Sequence, residues 1–246
     1  MDRTIIDINV AVNGRDASGK RITPEVLLET LDFFHITHAV CYNEFAQRDV
    51  RKGNSDMRRI AEASNGRLGL SVILDPALGA ESLPGEGTLI QRLREWKPES
   101  IRILTEDMRA VFSVFYWEEI LDAANTLSLP VLIDQTYTPD FFYRLPEVAA
   151  HYPNAKFILV QYGFCGSRNI FPLVSKCSNV YFTAEIMLDN HQIEEIVERG
   201  NGDKLLFGTA YPKVTMAGAL GLALYADISE EDREKLLYKN WEGIKG

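Results

Sequence analysis

The fold is decided by residues 129–161, which read LPVLIDQTYTPDFFYRLPEVAAHYPNAKFILVQ. Two short apolar runs rich in β-branched residues, at 129–134 and 156–161, flank a stretch of helical period at 139–151. Neither run has a polar face, which is typical of a strand that is covered on both sides in a parallel sheet. The segment therefore predicts a strand, a helix and a second strand parallel to the first.

The same unit repeats along the rest of the chain, with apolar runs about 25 to 30 residues apart. Eight strands alternating with helices in 246 residues indicate an α/β fold, a single (β/α)8 TIM barrel with an extra C-terminal helix, which we predict as one domain over residues 1–246. An open, doubly wound sheet is the alternative, but no G-x-G-x-x-G follows the first strand and no P-loop occurs. The predicted strands are 4–11, 36–43, 68–74, 100–104, 129–134, 156–161, 179–183 and 204–209. The predicted helices are 24–34, 55–64, 88–96, 116–126, 139–151, 167–177, 190–200, 215–225 and 229–241.

Charge and cysteine content limit the expected partners and compartment. Lys and Arg total 26 against 35 Asp and Glu, and the net charge of -9 argues against a nucleic-acid partner. Three cysteines without a C-x-x-C pair fit neither a disulfide framework nor a zinc ribbon, and they favour the cytoplasm. No export signal or membrane-spanning stretch is visible. We therefore expect a small-molecule ligand, no membrane partner and no cofactor, with a homodimer through residues 216–225 as an alternative to packing of that helix on the barrel.

Polar residues at the strand ends form the candidate site, because barrel enzymes carry their catalytic groups at the carboxyl ends of the strands. Period two along the first strand places residues 7, 9 and 11 on the side of the mouth and residues 6, 8 and 10 on the other side. Of the four histidines, only His191 falls on the catalytic side. The other candidates at the mouth are Asn9, Asn43, Asp75, Arg102, Asp134, Gln161, Tyr162 and Glu185.

Arg102 is the most informative of these residues because it lies between apolar neighbours in Ser-Ile-Arg-Ile-Leu. A guanidinium in such a place must be paired or must reach a polar cavity. The sequence leaves two interpretations open: a buried ion pair with Asp134 or Glu185, or a clamp for the carboxylate of a ligand.

Five motifs occur in order along the chain. The first strand reads IIDINVA from Ile5, and the eighth reads LLFGTAYP from Leu205. The fifth and sixth strands read PVLID and KFILVQYG, and the chain has the ending ISEEDREKLLYKN up to Asn240. Together these motifs resemble the amidohydrolase-related (amidohydrolase 2) family of metal-dependent barrel hydrolases and decarboxylases. The resemblance implies a TIM barrel and, in a typical member, a metal centre at the mouth.

The chain departs from the family at the metal ligands. The family pattern Ile-Asp-x-His-x-His has Asn9 and Ala11 at its two histidine positions. Asp134 and Gln161 stand at histidine positions of the fifth and sixth strands, and Ala210 replaces the Asp of the eighth. Amides and methyl groups cannot supply the charge or the donor strength that a zinc-like ion needs. The sequence therefore predicts no metal-ligand residues.

Three functional hypotheses follow from these departures. The first is a metal-free barrel, altered or inactive in hydrolysis, that binds a small anionic or carbonyl metabolite. The second is a metal-independent hydrolase of lactones or amides, or a decarboxylase, and the third is a non-enzymatic scaffold. The ligand-binding candidates are Asn9, Arg102, Gln161, Tyr162 and Arg168, and the catalytic candidates are Asp134, Glu185 and His191.

Overall fold

Eight parallel strands in sequential order form the sheet of the computed structural model, which describes residues 3–104, 110–134, 139–160, 167–185, 187 and 191–245. Each strand pairs with the next one along the chain. The predicted barrel is confirmed, and the eighth strand is shorter than expected. The strands are β1 (Ile6–Val12), β2 (His38–Asn43), β3 (Leu68–Ile73), β4 (Ser100–Ile103), β5 (Pro130–Asp134), β6 (Lys156–Val160), β7 (Val180–Thr183) and β8 (Leu205–Leu206).

Helices alternate with the strands, and five of them begin at side-chain caps. The Thr23 and Ser229 hydroxyls accept backbone N–H bonds at their helix starts, a role for which Thr and Ser are well suited. The second helix begins earlier than predicted because the Asp49 carboxylate accepts the N–H of Lys52. The helices are α1 (Pro24–Phe33), α2 (Val50–Ala63), α3 (Leu89–Trp96), α4 (Val114–Leu127), α5 (Pro139–His151), α6 (Ser167–Lys176), α7 (Gln192–Glu198), α8 (Met216–Tyr225), α9 (Glu230–Glu234) and α10 (Asn240–Ile244), with a π-helical segment at Lys235–Lys239.

The first and last strands meet at a seam that nearly closes the barrel. The N–H of Ile8 donates to the Phe207 carbonyl at 3.1 Å, and the N–H of Ala11 donates to the Tyr211 carbonyl at 2.8 Å. The C-terminal helical run holds the beginning of β8, because the Asn240 amide donates to the Gly202 and Leu205 carbonyls at 2.8 Å each.

Apolar side chains fill the lower interior of the barrel, which we call the floor. Its members come from five strands and from the C-terminal helix, and all are almost fully buried. Strand residues on the opposite face belong to the larger core that packs under the surrounding helices. The floor consists of Ile6, Ile8, Val40, Leu132, Ile158, Val160, Leu206 and Trp241.

The predicted alternation of side chains along β1 is wrong at one point, because the strand contains a bulge. The pairing of β1 with β2 shifts between Asp7 and Val10. Ile8 therefore lies in the floor while Val10 joins the helix-facing core, although simple alternation puts them on one side. The Asp7 carboxylate accepts the N–H of Asn9 at 3.0 Å inside this bulge. The extra residue allows one strand to contribute both to the floor and to the polar mouth above it.

Within the described part of the chain, no helix is long and apolar enough to cross a membrane.

Candidate functional site at the barrel mouth

Arg102 occupies the centre of the site. Its neighbours Ile101 and Ile103 lie in the helix-facing core, so its own side chain projects into the barrel, where it is fully buried. Its Nη2 donates to the Asn9 Oδ1 at 2.6 Å and to the Asp134 Oδ1 at 2.7 Å. Arg102 is thus buried and paired with Asp134, which is one of the interpretations that the sequence leaves open.

The guanidinium also stacks on an aromatic ring. Its carbon lies 4.1 Å from the centroid of the Tyr42 ring, which is a favourable cation–π distance. Burial lowers the pKa of Arg102, but the charges of Asp134, Tyr42 and Glu185 outweigh this effect and the net pKa is raised. The side chain therefore remains a fixed cation at any physiological pH.

Asn9 extends this contact to the opposite side of the barrel. Its Nδ2 donates to the Glu185 Oε1 at 2.8 Å while its Oδ1 receives Arg102. The four side chains form a continuous line, Asp134 to Arg102 to Asn9 to Glu185, which we call the Arg102 network. Since both ends carry carboxylates and the centre one guanidinium, the network bears one excess negative charge when all three groups are ionised.

Close packing fixes the Glu185 end of the network. A Cβ at position 208 would come within 3.1 Å of the Asn9 Cβ, 3.3 Å of the Thr183 Cγ2 and 3.4 Å of the Glu185 Oε2. The absence of a side chain at Gly208 therefore leaves room for the Asn9–Glu185 hydrogen bond, and a larger residue there would push the two side chains apart.

Asp7 lies beside the network at the β1–β8 seam. Its pKa is raised to about 7, mainly by burial and to a smaller extent by the charge of Glu185, against the lowering effect of hydrogen bonds from Thr209 and Asn9. The Thr209 hydroxyl donates to the Asp7 Oδ2 at 2.6 Å, and the Thr209 N–H donates to the Oδ1 at 3.1 Å. Asp7 is thus a buried carboxyl group that changes its protonation near neutral pH.

Two of the N–H-bearing atoms of Arg102 have no hydrogen-bond partner among the described residues. These atoms, Nε and Nη1, are buried. A buried donor left unpaired is costly, so such atoms usually face a bound water, an ion or a ligand. They are two unpaired donors at the centre of the network.

The remaining predicted site residues are placed differently. The side chain of His191 is 83% exposed and its Nδ1 lies 3.8 Å from Glu194, so the structure does not bring it to the Arg102 network. Arg168 is exposed on α6. Gln161 and Tyr162 lie outside the described residues.

Two other polar residues from the strand ends have local backbone roles. The Asn43 Oδ1 accepts the N–H of Phe45 and begins a short 3-10 turn, and the Asp75 Oδ1 accepts the N–H of Ala77. Sequence reasoning did not single out Tyr42 or Thr209. The signal for each was available, because Tyr42 lies at the end of β2 and Thr209 follows β8 in the motif that carries the family resemblance.

The donor set does not fit a metal ion in the way the family arranges one. Asn9 and Ala11 offer an amide and a methyl group, and the Asp134 carboxylate is engaged by a guanidinium. A second cation beside Arg102 would be repelled by its charge. In the portion that the structure describes, no three His, Cys, Asp or Glu residues are grouped to hold a metal.

The backbone at position 210 also fits the resemblance. Ala210 has a φ of 56°, in the left-handed region. Asp and Asn adopt this conformation more readily than alanine does, because their short polar side chains can hydrogen-bond locally. The family's Asp at this place suits the backbone better than the alanine present.

Comparison with solved structures supports the fold. An uncharacterized TIM-barrel protein from Bordetella bronchiseptica shares 17% identity at a TM-score of 0.74, covering 98% of each chain. A manganese-bound 5-carboxyvanillate decarboxylase from Novosphingobium aromaticivorans shares 13% at a TM-score of 0.76, covering 98% of this chain and 96% of the other. A manganese-bound dihydroxybenzoic acid decarboxylase from Polaromonas sp. shares 15% at a TM-score of 0.72, with the same coverage.

Sequence comparison gives the family. No curated protein sequence matches the chain. A family model described as Amidohydrolase (Amidohydro_2) matches residues 14–240, which begin just after the first strand and its altered histidine positions. On that match, the chain belongs to the amidohydrolase (Amidohydro_2) family, whose barrel it retains around a mouth with a guanidinium at its centre.

Proposed function

We propose that the barrel mouth is a metal-independent binding site for a small molecule that carries a carbonyl or carboxylate oxygen, and that Arg102 is its anchor. The observation that carries the proposal is the pair of buried donors, Nε and Nη1, that remain on a guanidinium already fixed by Asn9 and Asp134. Because the guanidinium is held in place before the ligand arrives, little side-chain entropy is lost on binding.

The charge of the network favours some ligands over others. A carbonyl oxygen accepts the two N–H groups without adding charge, whereas a carboxylate adds a negative charge near Asp134 and Glu185. A carboxylate is nevertheless the natural partner of the planar guanidinium fork, and its charge strengthens the hydrogen bonds. The site therefore takes either group, and a carboxylate binds better when a neighbouring carboxyl group is protonated.

The structural neighbours suggest the shape of the ligand. One of them is a 2,6-dihydroxybenzoate decarboxylase complexed with 2,6-dihydroxybenzoate. In the present site an aromatic ring, that of Tyr42, packs against Arg102. Benzoate and benzamide are thus suitable probes, because they share a ring and differ in charge.

Calorimetry and thermal unfolding at constant ionic strength test the proposal. We expect a saturable rise in the melting temperature of the wild-type protein with one or both probes, since a ligand at 100 times its Kd stabilises the native state by about 2.7 kcal/mol. Arg102→Lys keeps the charge but removes the fork, so it should abolish the rise. The matched control is Arg59→Lys on the exposed face of α2, which should respond like the wild type.

Failure of both probes to stabilise the wild-type protein would overturn the proposal and leave a scaffold as the better account. An unchanged response in Arg102→Lys would show that the ligand binds elsewhere. Because the first result uses the wild-type protein alone, the test does not depend on how well the variant folds.

A metal-independent hydrolase or decarboxylase is the second candidate. The observation in its favour is that Asp134 and Glu185 lie in one network, with side chains of Asp134 15% exposed and of Glu185 almost fully buried. Two carboxyl groups in different surroundings can serve as acid and base. Turnover of 2,6-dihydroxybenzoate or of a simple lactone, lost in Glu185→Gln and retained in His191→Ala, would support this candidate.

A further inference from the structure

A cleft on the rim of the barrel gathers three arginines away from the Arg102 network. Arg15, Arg21 and Arg48 line it together with Glu44 and three uncharged residues, around a volume of about 390 Å³. Arg15 and Arg21 belong to the connection between β1 and α1, and Arg48 follows β2. Both connections leave the carboxyl ends of their strands, so the rim cleft lies on the same face as the candidate site.

An ordered hairpin holds two of these arginines side by side. The N–H of Ile22 donates to the Gly14 carbonyl at 2.8 Å, and the N–H of Asp16 donates to the Lys20 carbonyl at 3.0 Å. Arg15 and Arg21 form an antiparallel bridge within this hairpin. Residues paired in this way have side chains on one face about 5 Å apart, where like charges destabilise the pair. The hairpin therefore sends two like-charged side chains out from the same face.

The three arginines also have no acidic partner among the described residues, unlike about half of the arginines in that part of the chain. Eight arginines of the described chain form ion pairs with Asp or Glu. In the part of the chain that the structure describes, Arg15, Arg21 and Arg48 have no carboxylate within ion-pair distance. Arg15 donates to the Gly19 carbonyl at 2.6 Å, which fixes its head within the hairpin. This cationic cleft stands on a protein of net charge -9.

We propose that the rim cleft binds the phosphate group of a small molecule. Three guanidinium groups and the Glu44 carboxylate leave two positive charges, which match a phosphate monoester or inorganic phosphate near pH 7 better than a single carboxylate. Guanidinium forks suit phosphate oxygens because they donate in pairs. The proposal does not depend on Arg102 and concerns a second site.

Phosphate titration tests this site. At constant ionic strength, we expect inorganic phosphate to raise the melting temperature of the wild-type protein saturably, beyond the effect of chloride. The variant Arg15→Gln/Arg21→Gln/Arg48→Gln should lose that rise. The control Arg59→Gln/Arg94→Gln/Arg199→Gln removes the same charge from exposed arginines elsewhere and should keep it.

Two further comparisons make the result decisive. Phenyl phosphate binding as tightly as inorganic phosphate would indicate a phosphate ester, and preference for the free ion would indicate inorganic phosphate itself. Arg102→Lys should retain the phosphate response, which separates this site from the proposed function. An effect of phosphate equal to that of chloride, or one that survives in the rim variant, would overturn the proposal.

Discussion

The floor and the Arg102 network occupy the same barrel but are held by different forces. The floor is an apolar cluster closed by Trp241 from below. Beside Leu132, the register partner of Arg102 in the next strand, the network places a fully buried guanidinium between two carboxylates. Hydrophobic burial stabilises the floor at every pH, whereas the network is stable only while each charge keeps its partner. The comparison shows that the two halves of one barrel interior differ in how their stability depends on charge.

Among the substitutions that compare the two regions, removal of Arg102 should have the largest effect on the free energy of unfolding. Arg102→Met leaves the Asp134 and Glu185 carboxylates without the cation between them, so we expect a loss of about 3 to 5 kcal/mol in the free energy of unfolding. Urea denaturation measures it. Arg59→Met, which breaks an exposed ion pair with Asp56, should cost less than about 1 kcal/mol. Equal effects of the two substitutions would mean that the network is not a buried charge system.

Asp7, which lies beside the network, should make the stability of this region depend on pH, whereas the contribution of the floor should not depend on pH. Its folded pKa of about 7 lies above its ordinary value, so the folded state holds the proton more tightly than the unfolded state does. This contribution is fully present below the unfolded pKa and is lost as the pH rises through 7. Between pH 5 and pH 8 we expect it to fall by about 3 kcal/mol.

Asp7→Asn isolates this contribution because asparagine does not titrate and can still accept from the N–H groups of Asn9 and Thr209. We expect the wild-type protein to lose stability relative to the variant as the pH rises. Denaturation of both proteins across this pH range measures the difference in their free energies of unfolding. Ile158→Val in the floor is the control, and its cost of about 0.5 to 1.5 kcal/mol should not vary with pH. A pH-independent effect of Asp7→Asn would contradict the buried titrating carboxyl group.

Relief of strain at position 210 should produce the smallest change. Ala210→Gly removes the Cβ from a left-handed backbone, a gain of about 1 kcal/mol that the greater freedom of glycine in the unfolded chain offsets in part. We expect a rise in the melting temperature of at most a few degrees. A clear loss of stability would show that the Ala210 methyl group packs better than its backbone conformation suggests.

Much of the fold could be predicted from the sequence because periodicity and caps are local signals. The βαβ pattern around residues 129–161 and the cap at Thr23 depend only on neighbouring residues. The bulge in β1 could not be predicted this way, since it depends on how Asp7 meets Thr209 across the seam. A single inserted residue changed which side chains share a face.

Some features of the candidate site could be read from the sequence. An isolated guanidinium among apolar neighbours indicated that Arg102 is paired or reaches a polar cavity, but the sequence could not choose between Asp134, Glu185 and a ligand, and the structure shows the pair with Asp134. Asn9 bridges Arg102 and Glu185 through two long-range contacts. Arg102 is 93 residues from Asn9 along the chain and Glu185 is 176 residues from it, so the local sequence does not encode either contact. The same limit applies to His191, whose exposure depends on the conformation at the start of α7.

The central claim is that a guanidinium, and not a metal ion, provides the positive charge at this barrel mouth. Metal analysis of the purified wild-type protein, produced with added zinc and manganese, tests it most directly. The account predicts far less than one equivalent of either metal, and no metal-induced rise in the melting temperature. About one equivalent of tightly held metal, lost in Asp134→Asn or Glu185→Gln but kept in the exposed-site control Glu62→Gln, would contradict it.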